Sequence, residues 1–193
     1  MARDILTEIK NAQPKCGDVI FVAVDGGAGS GKTTLASMIA DALEAEIIHT
    51  DDFASWEHPI DWWPKVIEFV FEPISRGEKF LSYPRTQWWE NEPREPVVNQ
   101  HVTEIMVIEG VSASRSEFRS YLSYSIFVDA PKYLRFQRGE ARDLALGIKE
   151  SKQKVHSYWR EWDDDEVEYL ERDKPLEYVN AVIDGTKPFE NQI

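Results

Sequence analysis

The chain has 193 residues, 42% of them hydrophobic and 12% aromatic, which is enough to bury the core of one globular domain. A formal net charge of −13 argues against binding a nucleic-acid backbone, because lysine and arginine supply that affinity. No apolar run approaches the roughly 18 residues of a membrane span, and the charged N-terminus lacks the core of a secretory signal. The single cysteine, Cys16, fits a reducing compartment. We therefore predict a cytoplasmic single domain over 1–193 that binds neither nucleic acid nor membrane, and leave homo-oligomerisation open.

Hydrophobic periodicity predicts strands and helices that alternate along the chain. The predicted strands are 19–24, 47–50, 104–109, 124–129 and 178–185, and the predicted helices are 1–12, 34–43, 133–146 and 151–172. Such alternation is typical of a doubly wound parallel sheet, an α/β fold that binds ligands at the carboxyl ends of its strands. The predicted site therefore lies where these strands end.

Residues 54–103 interrupt this alternation with five tryptophans and six prolines. A helix from about residue 61 should end or kink at Pro73. We predict that this region is a small inserted subdomain that binds a substrate. Trp63, Tyr83 and Arg85 are its candidate substrate contacts, because aromatic rings can stack on a base or a sugar. The alternative is that its large aromatic side chains only fill a small core.

A glycine-rich stretch, GGAGSGKT at 26–33, lies between the first long strand and a helix and matches the Walker A pattern. In such loops backbone N–H groups surround the phosphates, the lysine reaches the β- and γ-oxygens, and the hydroxyl binds Mg²⁺. We predict a nucleoside triphosphate site in which Lys32 is also catalytic and Thr33 is a metal ligand. The predicted nucleotide-binding residues are Gly26, Gly27, Ala28, Gly29, Ser30, Gly31, Lys32, Thr33 and Thr34.

Carboxylates follow two other predicted strands. Glu109 ends an apolar run, where a Walker B acid would hold Mg²⁺, and we expect that a side chain on Gly110 would crowd a ligand. Asp51 and Asp52 end the second strand, and a carboxylate there can accept the proton of an attacking hydroxyl. We predict Asp51 as the base, with Asp52 left to Mg²⁺-bound water or to capping a turn. Solvated or capping acids are the alternative for all three.

Three arginines share one stripe of the helix predicted after residue 129. Arg135, Arg138 and Arg142 follow i, i+3, i+7 spacing, and we predict a lid over about 135–150. Such a row can close over a triphosphate and stabilise charge during transfer. Arg138 and Arg142 are the predicted catalytic residues, and an exterior basic face is the alternative.

Together, these motifs resemble the uridine kinase-like branch of the P-loop kinases. In that family an Asp-x-Phe segment, a Glu-Gly pair and an arginine-rich lid follow the Walker A loop in this order. Their counterparts here are Asp51-Asp52-Phe53, Glu109-Gly110 and the segment 129–143, so the resemblance covers roughly residues 19–53 and 104–143. The resemblance implies a P-loop kinase sheet with ATP and Mg²⁺ as cofactors. It implies that Lys32 and the loop bind ATP and that Asp51 is the base. It also implies that Thr33 and Glu109 hold Mg²⁺ and that Arg138 or Arg142 belongs to the lid.

From this resemblance we expect an ATP-dependent phosphotransferase that phosphorylates a hydroxyl of a small molecule, with a nucleoside favoured. The same core can serve a nucleoside monophosphate, gluconate or pantothenate-like acceptor, for which the cationic residues of 54–103 are available. A third alternative is a nucleotide-binding switch or NTPase that transfers phosphate to water or to nothing. Asp51 and the predicted lid argue against that alternative.

Overall fold

A five-stranded parallel sheet forms the centre of the computed structural model, which describes residues 4–55, 58–88, 94–145 and 152–193. The sheet contains β1 (Ile20–Asp25), β2 (Glu46–His49), β5 (Ile105–Glu109), β6 (Tyr124–Asp129) and β7 (Ala181–Asp184), and β3 (Phe80–Pro84) and β4 (Val97–His101) form a separate antiparallel hairpin. The helices are α1 (Ile5–Lys10), α2 (Lys32–Leu43), α3 (Trp63–Val66), α4 (Glu72–Ser75), α5 (Lys132–Ala145) and α6 (Lys152–Asp173).

The strand order β2-β5-β1-β6-β7 confirms the predicted doubly wound α/β fold. The chain builds one side of β1 with β2 and β5 and the other with β6 and β7, so the order reverses at β1. Ligands bind at such a switch point in open α/β sheets. The register pairs Val24 with Glu109 and His49 with Glu109, so β1, β2 and β5 end at the same edge.

The two faces of the sheet carry separate hydrophobic layers. Val22 and Val24 belong to the layer that contains α1 and α2, whereas Phe21 and Ala23 belong to the layer of α3 and α4. This alternation follows from the two-residue period of side chains along a strand. With both faces covered, β1 is apolar along nearly its whole length, as expected for a buried parallel strand.

The region predicted as an insert shares its core with the sheet. A π-helical turn, Ile67–Phe71, joins α3 to α4 without a break, and its buried Phe71 packs edge-on against Phe21 at 5.0 Å between ring centroids. Burying such a side chain contributes roughly 1.5–3 kcal/mol. Pro73 does not end this helical segment, which continues to Ser75, because the wider π-helical turn lies directly before it.

The remaining predicted helices and strands are shifted by only a few residues at their ends. Residues 146–150 of the predicted lid, and Trp56 and Trp89 of the predicted insert, lie outside the described residues. Within the part of the chain that the structure describes, no helix is both long enough and apolar enough to cross a membrane.

Candidate active site

The glycine-rich loop joins β1 to the 12-residue helix α2, as the sequence predicts. Gly31 caps this helix with a left-handed backbone, φ 104°, and Lys32 begins the first turn. The free N–H groups of a helix N-terminus carry positive potential that favours an anion. A Cβ on Gly29 would lie 2.3 Å from the carbonyl oxygen of Arg135, so this position requires glycine.

Glu109 lies beside the helix start and has two partners. Its Oε2 accepts a hydrogen bond from Thr33 Oγ1 at 3.1 Å, and its Oε1 lies 2.7 Å from Nδ1 of His49. A hydroxyl and a carboxylate side by side are the hard oxygen ligands that Mg²⁺ prefers. No three carboxylate, histidine or cysteine side chains converge within the described ranges, so a metal here would take its other ligands from nucleotide and water. Thr33 and Glu109 thus fit their predicted metal role.

The pKa shifts of Glu109 and His49 favour an ionised Glu109 carboxylate. Burial opposes ionisation of Glu109, but the hydrogen bond with His49 and the nearby Lys32 ammonium together hold its pKa below the usual value. The same hydrogen bond raises the pKa of His49 above its ordinary value, against the effect of burial. The Lys32 ammonium therefore acts on the Glu109 carboxylate. This fits the prediction that Lys32 reaches phosphates bound at the same edge of the sheet.

The structure gives a reason for glycine at position 110 that could not be predicted from the sequence. A Cβ at this position would lie 1.7 Å from Oγ1 of the buried Thr50, and the backbone has φ 144°. The expectation that a side chain here would crowd a ligand stays a prediction. Glycine is required because the loop after β5 packs directly on the turn that carries Asp51 and Asp52.

Asp25, the last residue of β1, joins three parts of the site. Its fully buried carboxylate accepts hydrogen bonds from Ser114 Oγ and Tyr169 Oη at 2.5 Å each and from the backbone N–H groups of Gly26, Ser112 and Ser114 at 2.6–3.0 Å. Buried carboxylates are tolerated when hydrogen bonds satisfy them in this way. The phosphate loop, the loop after Glu109 and helix α6 are therefore held together by one side chain.

We expect Asp25→Asn to lower the free energy of unfolding by about 2–4 kcal/mol, because the new amide N–H₂ would face donors from Ser114 and Tyr169. Urea unfolding would measure the change. The matched control is Asp18→Asn, which makes the same substitution at an exposed position. Equal stability of the two variants would show that Asp25 does not hold these elements together.

Asp51 and Asp52 form a short 3₁₀ turn, Thr50–Asp52, at the end of β2, but their side chains have opposite environments. Asp51 is exposed, and its carbonyl oxygen accepts a hydrogen bond from Trp88 Nε1 at 2.9 Å. Asp52 is 2% exposed, and its Oδ1 lies 2.7 Å from Nε of Arg85 and 3.2 Å from Nη1 of Arg94. Of these two aspartates, only Asp51 presents its carboxylate to solvent, which fits the predicted base.

The two arginines change the role predicted for Asp52. Burial raises the pKa of this carboxyl, and Arg85 opposes that rise. Its carboxylate is engaged by guanidinium groups rather than presented to a metal, so we assign it to anchoring the β3–β4 hairpin instead of to Mg²⁺-bound water. The hairpin is anchored there by backbone as well, because Thr86 N–H donates to the carbonyl oxygen of Asp52 at 2.7 Å.

The predicted substrate residues divide into two groups. Arg85 lies next to the Asp51–Asp52 turn through its ion pair with Asp52. Tyr83 is 1% exposed and stacks on Phe53 at 4.8 Å between centroids, so its ring supports the turn from the core side. Trp63 packs against the hydrophobic core, with the guanidinium of Arg115 5.5 Å from its ring centroid. The described contacts of Tyr83 and Trp63 are therefore packing contacts, and their binding of substrate stays a prediction.

The three stripe arginines lie at different distances from the glycine-rich loop. Arg135 reaches the loop at Gly27, where its Nη1 would lie 2.0 Å from a Cβ on that glycine. Arg138 donates from Nη1 to the carbonyl oxygens of Gly185, at 2.9 Å, and Ser30, at 3.3 Å. Arg142 is exposed and pairs with the neighbouring Asp143 at 2.9 Å. The catalytic roles of Arg138 and Arg142 stay predictions, and Arg135 joins them as a candidate.

A cleft of about 360 Å³ opens beside the first turn of α2. Its lining residues come from α2, α5 and the segment after β7, and are Gly31, Thr34, Met38, Arg138, Gly185, Lys187, Pro188, Phe189 and Glu190. The volume is typical of a small-molecule site, and the lining combines an aromatic ring and apolar atoms with a few polar groups. The cleft thus has room for the nucleoside part of a nucleotide whose phosphates lie on the loop.

Two residues of this edge, His49 and Glu166, were not predicted from the sequence. His49 immediately precedes the Asp51 turn, but its pairing with Glu109 follows only from the strand register. Glu166, in the acidic run 163–166, accepts a hydrogen bond from Ala28 N–H at 3.1 Å although the two residues are 138 positions apart. The acidic run was the available signal, but nothing in it indicates a contact with the loop.

The chain is similar to kinases in both its sequence and its structure. No protein-family model matches the chain. Curated proteins named uridine kinase are 21–26% identical to it, and that of Borrelia duttonii is 21% identical over 180 residues, 86% of each chain. Among solved structures, a possible uridine kinase from Bacillus stearothermophilus has a TM-score of 0.59 at 18% identity and covers 93% of this chain and 95% of its own. A sugar kinase from Janibacter has a TM-score of 0.50 at 18% identity and covers 91% and 90%.

These likenesses agree with the order of motifs along the chain and with the edge at which the structure gathers them. The kinase and P-loop predictions are confirmed. The chain is therefore similar to the uridine kinases in sequence, has the α/β fold of the P-loop kinases, and is a P-loop small-molecule kinase.

Proposed function

We propose that the protein transfers the γ-phosphoryl group of ATP to a hydroxyl of a nucleoside, with Asp51 as the base. One observation carries the proposal: the glycine-rich loop, the Thr33–Glu109 pair and the exposed Asp51 all lie where β1, β2 and β5 end. A switch or simple NTPase has no need of a carboxylate exposed beside the loop and framed by a hairpin. Transfer to an acceptor explains that arrangement, because the acceptor hydroxyl must lose its proton near the γ-phosphate.

The nucleotide would occupy the cleft and the loop together. Its base and ribose would lie in the 360 Å³ cleft near Phe189, and its triphosphate along the loop that begins α2. Thr33 and Glu109 would hold Mg²⁺, which when bound neutralises charge on the β- and γ-phosphates. Lys32 then orients the same oxygens, and the arginines of α5 close the site against water.

The acceptor would bind between the Asp51 turn and the β3–β4 hairpin. The relatives named uridine kinase support a nucleoside there, and the Asp52–Arg85 pair provides both acceptors and donors for the hydroxyls of a sugar. Trp88, bonded to the carbonyl oxygen of Asp51, brings an aromatic ring to the same turn. The hairpin therefore supplies groups that suit a sugar and a base.

A second candidate acceptor is an alcohol that carries an acid group, such as a sugar acid. The observation that favours it is the approach of both Arg85 and Arg94 to a single carboxylate, Asp52. Guanidinium groups bind carboxylate and phosphate in bidentate fashion, so an acidic acceptor suits this pair.

ATP consumption measured across nucleosides, nucleoside monophosphates, sugars, sugar acids and vitamin precursors tests the proposal. We expect a nucleoside to raise turnover far above the acceptor-free rate, with a phosphorylated product of matching mass. Acceleration by a sugar acid instead would favour the second candidate, and Arg85→Gln should then raise the KM for that acid more than it lowers kcat. Slow hydrolysis that no acceptor changes would contradict transfer altogether.

A further inference from the structure

A carboxylate of the protein itself occupies part of the phosphate-binding loop. Oε2 of Glu166, on α6, accepts the hydrogen bond from the N–H group of Ala28 at 3.1 Å. Backbone N–H groups of a Walker A loop are donors for phosphate oxygens. An anion of the protein therefore uses a donor of the loop on which the nucleotide phosphates would lie.

Arg135 completes this contact from the neighbouring helix. Its Nη1 lies 2.8 Å from Oε1 and 3.0 Å from Oε2 of Glu166, and also donates to the carbonyl oxygen of Ala28 at 3.3 Å. Both side chains are largely buried, 13% and 7% exposed, so this ion pair is shielded from water. The guanidinium over the loop is thus already bound to a carboxylate of the same chain.

Little space remains between these side chains and the loop. The cavity lined by Ala28, Arg135, Phe136, Trp162, Asp163 and Glu166 measures about 10 Å³. That is close to the least volume that holds one water molecule, and far below that of a phosphate group. An anion can therefore reach the N–H group of Ala28 only if the Glu166 side chain moves away.

The position of Glu166 also connects the loop to the acceptor side of the site. One turn before it on α6, Trp162 contacts Trp88 edge-on at 6.0 Å between centroids. One turn after it, Tyr169 binds Asp25. A helix held at these two points and at the loop bridges the nucleotide and acceptor sites.

We propose that Glu166 is a resident anion of the phosphate-binding loop, which the triphosphate must displace before the nucleotide binds fully. This inference rests on the proposed function, because it assumes that the loop binds a triphosphate. On displacement, a phosphate replaces the Glu166 carboxylate as the partner of the Ala28 N–H group. Arg135 is then also free to bind the phosphates. Glu166 thereby weakens nucleotide binding.

The test compares Glu166→Gln with Glu168→Gln, which removes the same charge from an exposed position two residues along α6. Calorimetry would measure the Kd of Mg·ATP and of inorganic tripolyphosphate for both variants and the wild-type chain. We expect Glu166→Gln to bind both ligands roughly tenfold more tightly, because a charged hydrogen-bonding competitor is lost. Glu168→Gln should change each Kd by much less, and the gain with tripolyphosphate would place the effect at the loop rather than at the base cleft.

The outcomes separate this inference from the proposed function. The inference would be overturned if Glu166→Gln bound these ligands no more tightly than Glu168→Gln. That result is expected if the Glu166 carboxylate only positions Arg135 for the phosphates. Absence of nucleotide and tripolyphosphate binding in all three proteins would instead contradict the proposed kinase site. If Glu166→Gln is unfolded by circular dichroism, Glu166→Asp replaces it, and the shorter side chain, withdrawn from Ala28, should tighten binding in the same direction.

Discussion

Lys32→Ala is expected to abolish ATP turnover, lowering kcat/KM by on the order of a thousandfold, because no other ammonium group begins the helix at this loop. Lys32 is the first residue of α2, and its charge lowers the pKa of Glu109 at the end of β5. A lysine in this place interacts with the β- and γ-oxygens more strongly as charge develops during transfer. Turnover measured with saturating acceptor, together with the Kd of Mg·ATP, would separate binding from catalysis.

The control for this substitution is Lys15→Ala, which removes the same charge at an exposed position before β1. We expect that variant to keep wild-type turnover. Lys32 is only partly buried, so its removal should leave the unfolding transition nearly unchanged. Turnover by a folded Lys32→Ala protein at the rate of the Lys15→Ala control would contradict the assignment of the loop.

Asp51→Asn is expected to keep Mg·ATP binding but to reduce phosphoryl transfer by roughly 10²–10⁴, the usual contribution of a general base. The amide is the same size as the carboxylate but cannot accept the acceptor proton. Asp51 is exposed, and the bond from Trp88 goes to its backbone, so the turn should survive the substitution. Single-turnover transfer, measured with the acceptor found in the panel, reports this step directly.

Asp52→Asn separates the two neighbouring carboxylates. Asp52 is buried against Arg85 and Arg94, so its loss should loosen the hairpin, lower stability and raise the acceptor KM. Its effect on kcat should be smaller than that of Asp51→Asn. The opposite pattern, with transfer lost in a folded Asp52→Asn protein and retained in Asp51→Asn, would move the base to Asp52.

The strands and the phosphate loop could be predicted because their signals are local. β1 is a continuous apolar run, and the glycines and Lys32 follow it within a dozen residues, so neighbouring positions carry the whole pattern. The same holds for Glu109 at the end of β5. In a parallel sheet the carboxyl ends of neighbouring strands meet at one edge, and this rule alone brings Asp51 toward the loop.

The choice among the arginines could not be made in the same way. Helical spacing puts Arg135, Arg138 and Arg142 on one stripe of α5. Which of them reach the loop depends on where along α5 the loop packs against the helix. The structure brings Arg135 to Ala28 and Arg138 to Ser30 of the loop. Arg142 pairs with Asp143 instead. The contact of Glu166 with Ala28 depends likewise on the packing of α6, a helix far away in the sequence.

The doubly wound sheet, the Walker A loop and the carboxylates at the strand ends could be predicted from the amino-acid sequence alone, because periodicity and motif spacing act over short distances. The three-dimensional structure was needed to show which of the two adjacent aspartates is exposed, which arginines reach the loop, and that Glu166 contacts the loop. Those outcomes depend on burial and on contacts between segments up to 138 residues apart, and such contacts leave no periodic signal in the chain.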